Sequence, residues 1–256
     1  MPAEFRFSTV PTSCTYLPQQ TCQMNYRLVA EMDGETYAGM LDRGWRRFGY
    51  QFSRPICPAC AKCRSLRVKV NEFTSSKAQR RALKRNADLR LVVQPASVTD
   101  EHIRVYKQYH AFMGVEKGWI NEEMTAEVYA THFVSGIFPF AYEFLYFLGD
   151  TLVGVGLVDV TRRATSSVYF YHDPTLRARS LGVFSMMKEL EYARTLGIPY
   201  HHLGYWVPEC ASMLYKSSYR PAELLLGYPL EGEEPLWVNP EDWRPILNTE
   251  EKGMIV

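Results

Sequence analysis

Apolar and polar positions alternate with period two in several separate stretches, and each such stretch predicts a strand. Glu143–Leu148, a Gly149-Asp150 turn and Leu152–Val160 read as a hairpin, and Ser166–Tyr171 as a third strand after the connection Thr161–Ala164. His201–Tyr205 reads as a further strand. Leu66-Arg-Val-Lys-Val70 alternates apolar and basic residues, which predicts a strand with one wet, cationic face. Helical spacing marks Tyr37–Gly44, Lys77–Asn86 with Ser75 or Ser76 as its cap, Asp100 to about Gly114, and Glu122–Val134. A last helix, Val183–Leu196, is introduced by Ser180 and Gly182 and closed by Gly197 and Pro199. Antiparallel strands followed by a helix and another strand predict a mixed α/β sheet in the C-terminal half. The divisions that follow are 1–90, 100–235 and a tail, 236–256.

Composition narrows the class. The 256 residues are 46% hydrophobic and 22% charged, as in a folded domain and unlike a disordered or collagenous chain. No apolar run approaches the roughly 18–20 residues of a membrane span, and Pro2, Glu4, Arg6, Pro11 and Pro18 interrupt any signal-peptide core. The expected setting is the cytoplasm, with no membrane partner. Net charge is +1, yet Arg43 to Arg90 holds 14 Lys and Arg against only Glu72 and Asp88, leaving the remainder strongly acidic. Within that block Lys77, Arg80, Arg81, Lys84 and Arg85 fall on one helical stripe. Stacked like charges repel, and a polyanion lying along them relieves the repulsion; a solvated basic face is the alternative.

Cys57-Pro-Ala-Cys60-Ala-Lys-Cys63 packs three thiols into seven residues, with Cys14 and Cys22 upstream. Two-residue spacers let neighbouring thiolates converge on one zinc ion or iron–sulfur cluster, with Cys14 or Cys22 as the fourth ligand. Clustered, buried thiols are the other reading. Cys210 stands alone without a His and acid in motif spacing.

Cys14-Thr-Tyr-Leu17, Gly44-Trp-Arg-Arg47, Arg54-Pro-Ile-Cys-Pro-Ala-Cys-Ala-Lys-Cys-Arg64 and Ser75-Ser-Lys-Ala-Gln-Arg-Arg81 together form a distinctive series. Val168-Tyr-Phe-Tyr-His-Asp-Pro174, Arg179-Ser-Leu-Gly182, Leu203-Gly-Tyr-Trp206 and Met213-Leu-Tyr-Lys216 continue it. From about Cys14 to about Gly227 the chain resembles the aminoacyl-tRNA–protein transferases of the N-degron pathway. It is most similar to the shorter bacterial aspartate/glutamate leucyltransferases and more distantly to the eukaryotic arginyltransferases. The resemblance implies transfer of an amino acid from its tRNA ester to the α-amine of a protein beginning with Asp or Glu, which marks that protein for degradation. It implies a C-terminal domain like the acyl-CoA N-acyltransferase (GNAT) fold beside a smaller Cys-containing N-terminal α/β domain. Leucine is the expected cargo and arginine the alternative. The expected partners are an aminoacyl-tRNA and the acceptor protein, with no DNA.

Ester-to-amide exchange is downhill and requires no cofactor. It does require a base for an amine of pKa about 7.7–8.0 and a donor for the oxyanion. Asp159, an acid in an otherwise apolar strand, is the leading catalytic candidate, and Asp173, before Pro174, is the other acid in reach. Tyr169 and Tyr171 share one strand face and offer two hydroxyls. Arg179, Ser180 and Gly182, at a helix N-terminus, suit phosphates of the tRNA 3′ end. Trp206 suits stacking on the terminal adenine, with Tyr215 and Lys216 at the mouth of the site. Arg64, Arg80 and Arg81, beside Ser75, offer bidentate forks for the acceptor's carboxylate. Lys77, Lys84 and Arg85 suit the tRNA backbone, and Cys14, Cys57, Cys60 and Cys63 the metal. Two other classes compete: a non-catalytic RNA-binding module, and a CoA-dependent N-acetyltransferase, against which the absent glycine-rich phosphate loop argues.

Overall fold

The computed structural model describes residues 4–120 and 123–240. The chain opens with β1 (Glu4–Ser8), a ribbon of β2 (Thr12–Ser13) and β3 (Thr21–Cys22), β4 (Met24–Val29), α1 (Gly34–Asp42), β5 (Arg46–Phe48) and β6 (Gln51–Pro55). Strands β1, β4, β6 and β5 pair in that order as an antiparallel sheet. Helix α1 starts earlier than its apolar spacing predicts, because the Asp33 carboxylate caps it by accepting from the N–H groups of Glu35 and Thr36. Its buried side packs Tyr37, Met40 and Leu41 against Phe52, Phe138 and Phe140.

Next come β7 (Arg64–Lys69), α2 (Lys77–Arg85), β8 (Leu89–Pro95), α3 (Asp100–Lys117) and α4 (Ala126–Tyr129), which widens into a π turn over Ala130–Val134. The α2 cap is Ser76: its hydroxyl accepts from the Gln79 N–H and the Gln79 side chain accepts from the Ser76 N–H. The helix expected from Glu122 begins only after Thr125, whose hydroxyl accepts from the Val128 N–H; Glu122 itself lies outside the described residues.

The C-terminal half supplies β9 (Ala141–Leu148), β10 (Thr151–Val160), β11 (Ala164–His172), a 3-10 turn over Pro174–Arg179, α5 (Leu181–Thr195) and β12 (Tyr200–Trp206). A 3-10 segment, Ala211–Ser218, leads to β13 (Ala222–Leu226) and β14 (Leu236–Val238). The larger, mixed sheet runs β14-β13-β7-β12-β11-β10-β9-β8, antiparallel throughout except between β11 and β12. Strands β7 and β8 come from around the expected first division, so residues on both sides of position 90 build one sheet. The expected tail begins with β14, and 241–256 lie outside the described residues.

The wet cationic face expected for Leu66–Val70 does not form. Flanked by β12 and β13, β7 is an interior strand, and Arg67 is buried, with Asp42 at 3.0 Å and Glu223 at 2.8 Å. The rings of Tyr200 and Trp237 close over its guanidinium. A strand paired on both sides keeps little water on either face, and of the two basic residues in Leu66–Val70 only Lys69 stays partly exposed, paired with Glu223 at 3.2 Å.

Helices α3 and α4 cover one face of the sheet, where Val105 and Tyr106 meet Leu145, Val155, Leu157 and Tyr171. Helix α5 covers the other: Phe184 packs with Phe144 and Val158, and Met187 and Leu190 with Leu66, Val68 and Leu203. Each such side chain, fully buried, contributes about 1.5–3 kcal/mol. Gly156 lets α5 sit close, because a Cβ there would lie 3.1 Å from the Ser185 hydroxyl.

Two irregularities shape what lies between the layers. A bulge shifts the β10–β11 register, pairing Leu157 with Tyr169 but Val158 with Ser167. It turns Ser167 away from the face of Tyr169 and Tyr171 and toward α5. The parallel pairing of β11 with β12 covers only Ala164–Ser166 against Tyr200–His202. Beyond it the strands part into a wedge floored by α5.

Candidate active site

The wedge gathers polar groups that the two strands and α5 aim inward. Ser167 donates its hydroxyl proton to Glu189 Oε2, and Glu189 Oε1 accepts from the Ser185 hydroxyl at 2.9 Å. His201 Nε2 stands 3.1 Å from Ser167 Oγ, and Nδ1 stands 2.7 Å from the Thr165 hydroxyl. With the Ser167 proton on Glu189, this pattern requires Nε2–H on His201, donating to Ser167. Burial keeps the imidazole neutral, its pKa pushed down to about 3. Burial also pushes the Glu189 carboxyl up to about 7, against the hydrogen bonds of Ser167 and Ser185. Glu189 is 3% exposed, whereas Ser167 is half-buried.

Arg46, from β5 of the smaller sheet, reaches across the opening. It donates to the Ser166 hydroxyl at 2.8 Å and to the Ser167 carbonyl on the β11 side. On the β12 side it lies against Gly204, whose φ of +79° is a left-handed backbone; a Cβ there would stand 3.4 Å from the guanidinium. On the other lip Lys216 donates to the Tyr205 carbonyl at 2.6 Å. Burial and the nearby Arg46 charge push the Lys216 ammonium down to about 7. Tyr215, beside it, is exposed, and Trp206 packs half-buried between two apolar clusters.

Asp159 takes a different place from the one expected of a base. It is fully buried, with Arg47 Nη2 at 2.5 Å from Oδ1 and the Tyr37 hydroxyl at 2.6 Å from Oδ2. A carboxylate neutralised by a buried guanidinium, with no accessible surface, has no open edge for an amine, so its role is to tie β10 to α1 and β5. Tyr171 is sealed likewise, its hydroxyl 2.6 Å from that of Tyr129. Tyr169 is half-buried in an aromatic group with Tyr106 and Phe133, its hydroxyl 2.8 Å from His110 Nε2. Both tyrosines face α3, away from Glu189. Asp173 caps the turn after β11, accepting from the Thr175 N–H.

The expected phosphate-binding groups come together. Lys77, Arg80, Arg81, Lys84 and Arg85 are all exposed along α2. Arg85 donates to the Ala178 carbonyl, Arg179 donates to the Arg85 carbonyl at 2.9 Å and pairs with Asp88, and Asn86 donates to the Arg179 carbonyl at 2.8 Å. The stripe therefore runs into the start of α5, where Ser180 adopts φ +60° without capping by its side chain and Gly182 lies against Phe170. Ser75 accepts from Arg80 through its carbonyl. Arg64, in contrast, is buried in β7, away from Arg80 and Arg81 as an exposed fork.

Cys14, Cys22, Cys57, Cys60 and Cys63 lie near one another: burial and neighbouring thiols push Cys22 up to about 11 and Cys63 up to about 12. Among the described residues no group of three His, Cys, Asp or Glu side chains is arranged to hold a metal ion. Nor, among the described residues, is any helix long and apolar enough to cross a membrane.

Glu189, Ser167, His201 and Arg46 escaped the sequence reading. Glu189 carries the one available signal, an acid on the apolar side of a helix, four residues after Ser185. Ser167 carries none, because period-two reading puts it on the face of Tyr169 and only the bulge redirects it.

Family models described as arginine-tRNA-protein transferase, N terminus, and arginine-tRNA-protein transferase, C terminus, match residues 12–81 and 101–226. An aspartate/glutamate leucyltransferase of Campylobacter jejuni is 36% identical over 235 residues, 91% of this chain and 98% of the relative. Those of Helicobacter hepaticus and Pseudomonas aeruginosa are 37% and 32% identical, over 88% and 86% of this chain and 93% of each relative. Among solved structures, FemX aligns with a TM-score of 0.41 at 8% identity, over 78% of this chain and 79% of FemX. L-PGS from Bacillus licheniformis aligns with a TM-score of 0.40 at 13% identity, over 68% of this chain and 50% of that one. Since both halves of the transferase are matched and the curated relatives are covered almost end to end, the chain belongs to the arginine-tRNA-protein transferase family.

Proposed function

We propose that the protein transfers leucine from leucyl-tRNA to the α-amine of proteins beginning with Asp or Glu, and that the chemistry takes place in the wedge between β11 and β12. The observation that carries this reading is the Ser167–Glu189 pair: a carboxyl whose pKa is about 7, with no Lys or Arg among the described residues beside it and only the neutral His201 at 3.5 Å, reached through a half-buried hydroxyl. Such a group is matched to an α-amine of pKa about 7.7–8.0.

The incoming amine donates an N–H to the half-buried Ser167 hydroxyl oxygen. Its nitrogen attacks the ester carbonyl carbon, Ser167 receives the amine proton and passes its own to Glu189. The carbonyl electron pair moves to oxygen, which requires a hydrogen-bond donor at that position. The attack has formed the C–N bond; collapse re-forms the C=O bond, breaks the C–O ester bond and expels the ribose oxygen of the tRNA, which takes the proton back from Glu189 through Ser167 and leaves as the hydroxyl. His201, donating to Ser167, keeps the hydroxyl turned toward Glu189. The step uses no metal or cofactor; zinc or an iron–sulfur cluster on Cys14, Cys57, Cys60 and Cys63 would act on the structure of the N-terminal region.

The basic stripe on α2 and the start of α5 carries the tRNA, with its acylated end turned into the wedge. In this reading the mixed sheet with its split parallel pair serves as a GNAT-like acyltransfer domain acting on an RNA ester in the cytoplasm, and the mixed α/β architecture supports it. Incubation with labelled leucyl-tRNA or arginyl-tRNA and an Asp-initiated peptide tests this reading. Leucine in RNase-resistant peptide is the expected result. Label from arginyl-tRNA alone selects arginine, and no label from any aminoacyl-tRNA overturns the proposal in favour of RNA binding or CoA-dependent acylation.

A further inference from the structure

Two basic side chains in the wedge are in excess of what proton transfer and carbonyl satisfaction require. Arg46 and Lys216 both lie within the protein rather than on the exposed stripe, and they come from distant parts of the chain. They are close enough for the Arg46 charge to act on the Lys216 ammonium. Among the described residues neither has a carboxylate within ion-pair distance, whereas buried Arg47 is matched by Asp159, and Arg67 by Asp42 and Glu223. What the pair does hold is the two carbonyls at opposite lips of the parted strands, Ser167 on β11 and Tyr205 on β12. A carbonyl orients a cation without neutralising it. Two basic groups kept together in a half-buried place favour loss of a proton from one of them, Lys216, and an anion bound between them restores the full pair of charges.

We propose that Arg46 and Lys216 form a carboxylate subsite that reads the side chain of the acceptor's first residue. The inference rests on the transfer reading of the same wedge and gives it a specificity device. The span fits. Ser167 meets Arg46 through its carbonyl and Glu189 through its hydroxyl, so one residue separates the cation from the proton acceptor. In an N-terminal Asp or Glu the carboxylate and the α-amine are likewise separated by only two or three carbons. An amine resting on Ser167 thus carries its side-chain carboxylate toward Arg46, with Lys216 across the opening. An amide side chain in the same place leaves the pair uncompensated. The subsite replaces the forks expected at Arg64, Arg80 and Arg81: Arg64 is buried in β7, and the other two stand on the outer surface of α2. The phosphates have that outer stripe, which leaves the inner pair for the acceptor.

The test compares acceptors that differ only in charge. Transfer to Asp-initiated and Asn-initiated peptides is measured with the parent chain, Arg46→Gln, Arg46→Lys and Lys216→Met, alongside calorimetric binding of the dipeptides Asp-Ala and Asn-Ala. The parent is expected to favour Asp over Asn in both assays. The Gln and Met variants are expected to lose roughly 10- to 100-fold of that preference, as when a charged hydrogen bond is removed, and Arg46→Lys to retain part of it. A merely structural role would lower transfer to both peptides together and leave the ratio unchanged. An unchanged ratio in both Arg46→Gln and Lys216→Met, each checked for a cooperative thermal transition, overturns the subsite while transfer by the parent upholds the function. If the parent transfers nothing yet binds Asp-Ala in preference to Asn-Ala, and the variants do not, the subsite stands and the transfer reading falls. Equal binding of the two dipeptides by a parent that transfers nothing overturns both.

Discussion

Ser167 hands its hydroxyl proton to Glu189, and among the described residues no arginine or lysine shares that carboxylate. Burial, uncompensated by a cation, holds the group near 7 where an unfolded chain holds it near 4.5. The raised value means that folding favours the protonated form. The resulting stability is present in full below pH 4.5 and is lost as pH rises toward and through 7, amounting to about 3 kcal/mol. His201 works in the other sense, being buried neutral, with its contribution lost as pH falls below 6.5 toward about 3. Above pH 6.5 only the Glu189 slope is left of the two. Glu189→Gln is therefore expected to melt higher than the parent at pH 8 and close to it at pH 5. Its transfer rate should fall by about 10² or more. Melting curves at the two pH values and single-turnover transfer check both halves; a variant less stable at pH 8, or one as active as the parent, refutes the role.

Asp159 makes the opposite prediction. Its charge is compensated by Arg47 and it touches no solvent, so removing the charge leaves a buried guanidinium unpaired. Asp159→Asn should cost about 3–5 kcal/mol of stability, while the folded fraction transfers at the parental rate. Denaturant titration beside activity per folded molecule separates this outcome from a catalytic loss.

The difference between these two acids shows what the sequence makes legible. Periodicity located the three strands of the hairpin and its neighbour, the helix that bears Glu189, and the basic helix with its serine cap, because each is a local pattern. The large sheet is not local. β7 enters between β12 and β13 from more than a hundred residues away, and that insertion takes Arg67 from an expected wet face into buried ion pairs. An acid in an apolar strand stands out in a sequence whether it is paired or free, and the pairing of Asp159 with Arg47 lies 112 positions away. Ser167 was hidden for a smaller reason: a single bulged residue reverses the face on which the period places it.

The exposed stripe yields a prediction in salt rather than in stability. Lys77, Arg81 and Lys84 project from α2, and among the described residues none of them donates to a neighbouring carbonyl, unlike Arg80 and Arg85. Replacing the three by Ala should leave the melting temperature close to the parental one and reduce the slope of log binding constant against log salt for tRNA by about 2–3. Binding measured at several salt concentrations reads this directly. A parental slope would assign the stripe to ordinary surface.

Gly204 joins backbone strain to the wedge. Its left-handed φ lies where β12 leaves its partner, and the Arg46 guanidinium rests on the space that a side chain would fill. Ala in that conformation costs about 1–2 kcal/mol by itself, and its methyl at 3.4 Å from the guanidinium also crowds Arg46 against Ser166 and Ser167. The two effects separate experimentally, since strain lowers stability for every acceptor alike, whereas displacement of Arg46 weakens only what depends on its charge. Gly204→Ala is therefore expected to melt lower than the parent and, at a temperature where both are fully folded, to show a raised KM for Asp-initiated peptide with little change for the Asn-initiated one. A KM raised equally for both would mean that the glycine serves the turn of β12 alone and that Arg46 does not depend on it.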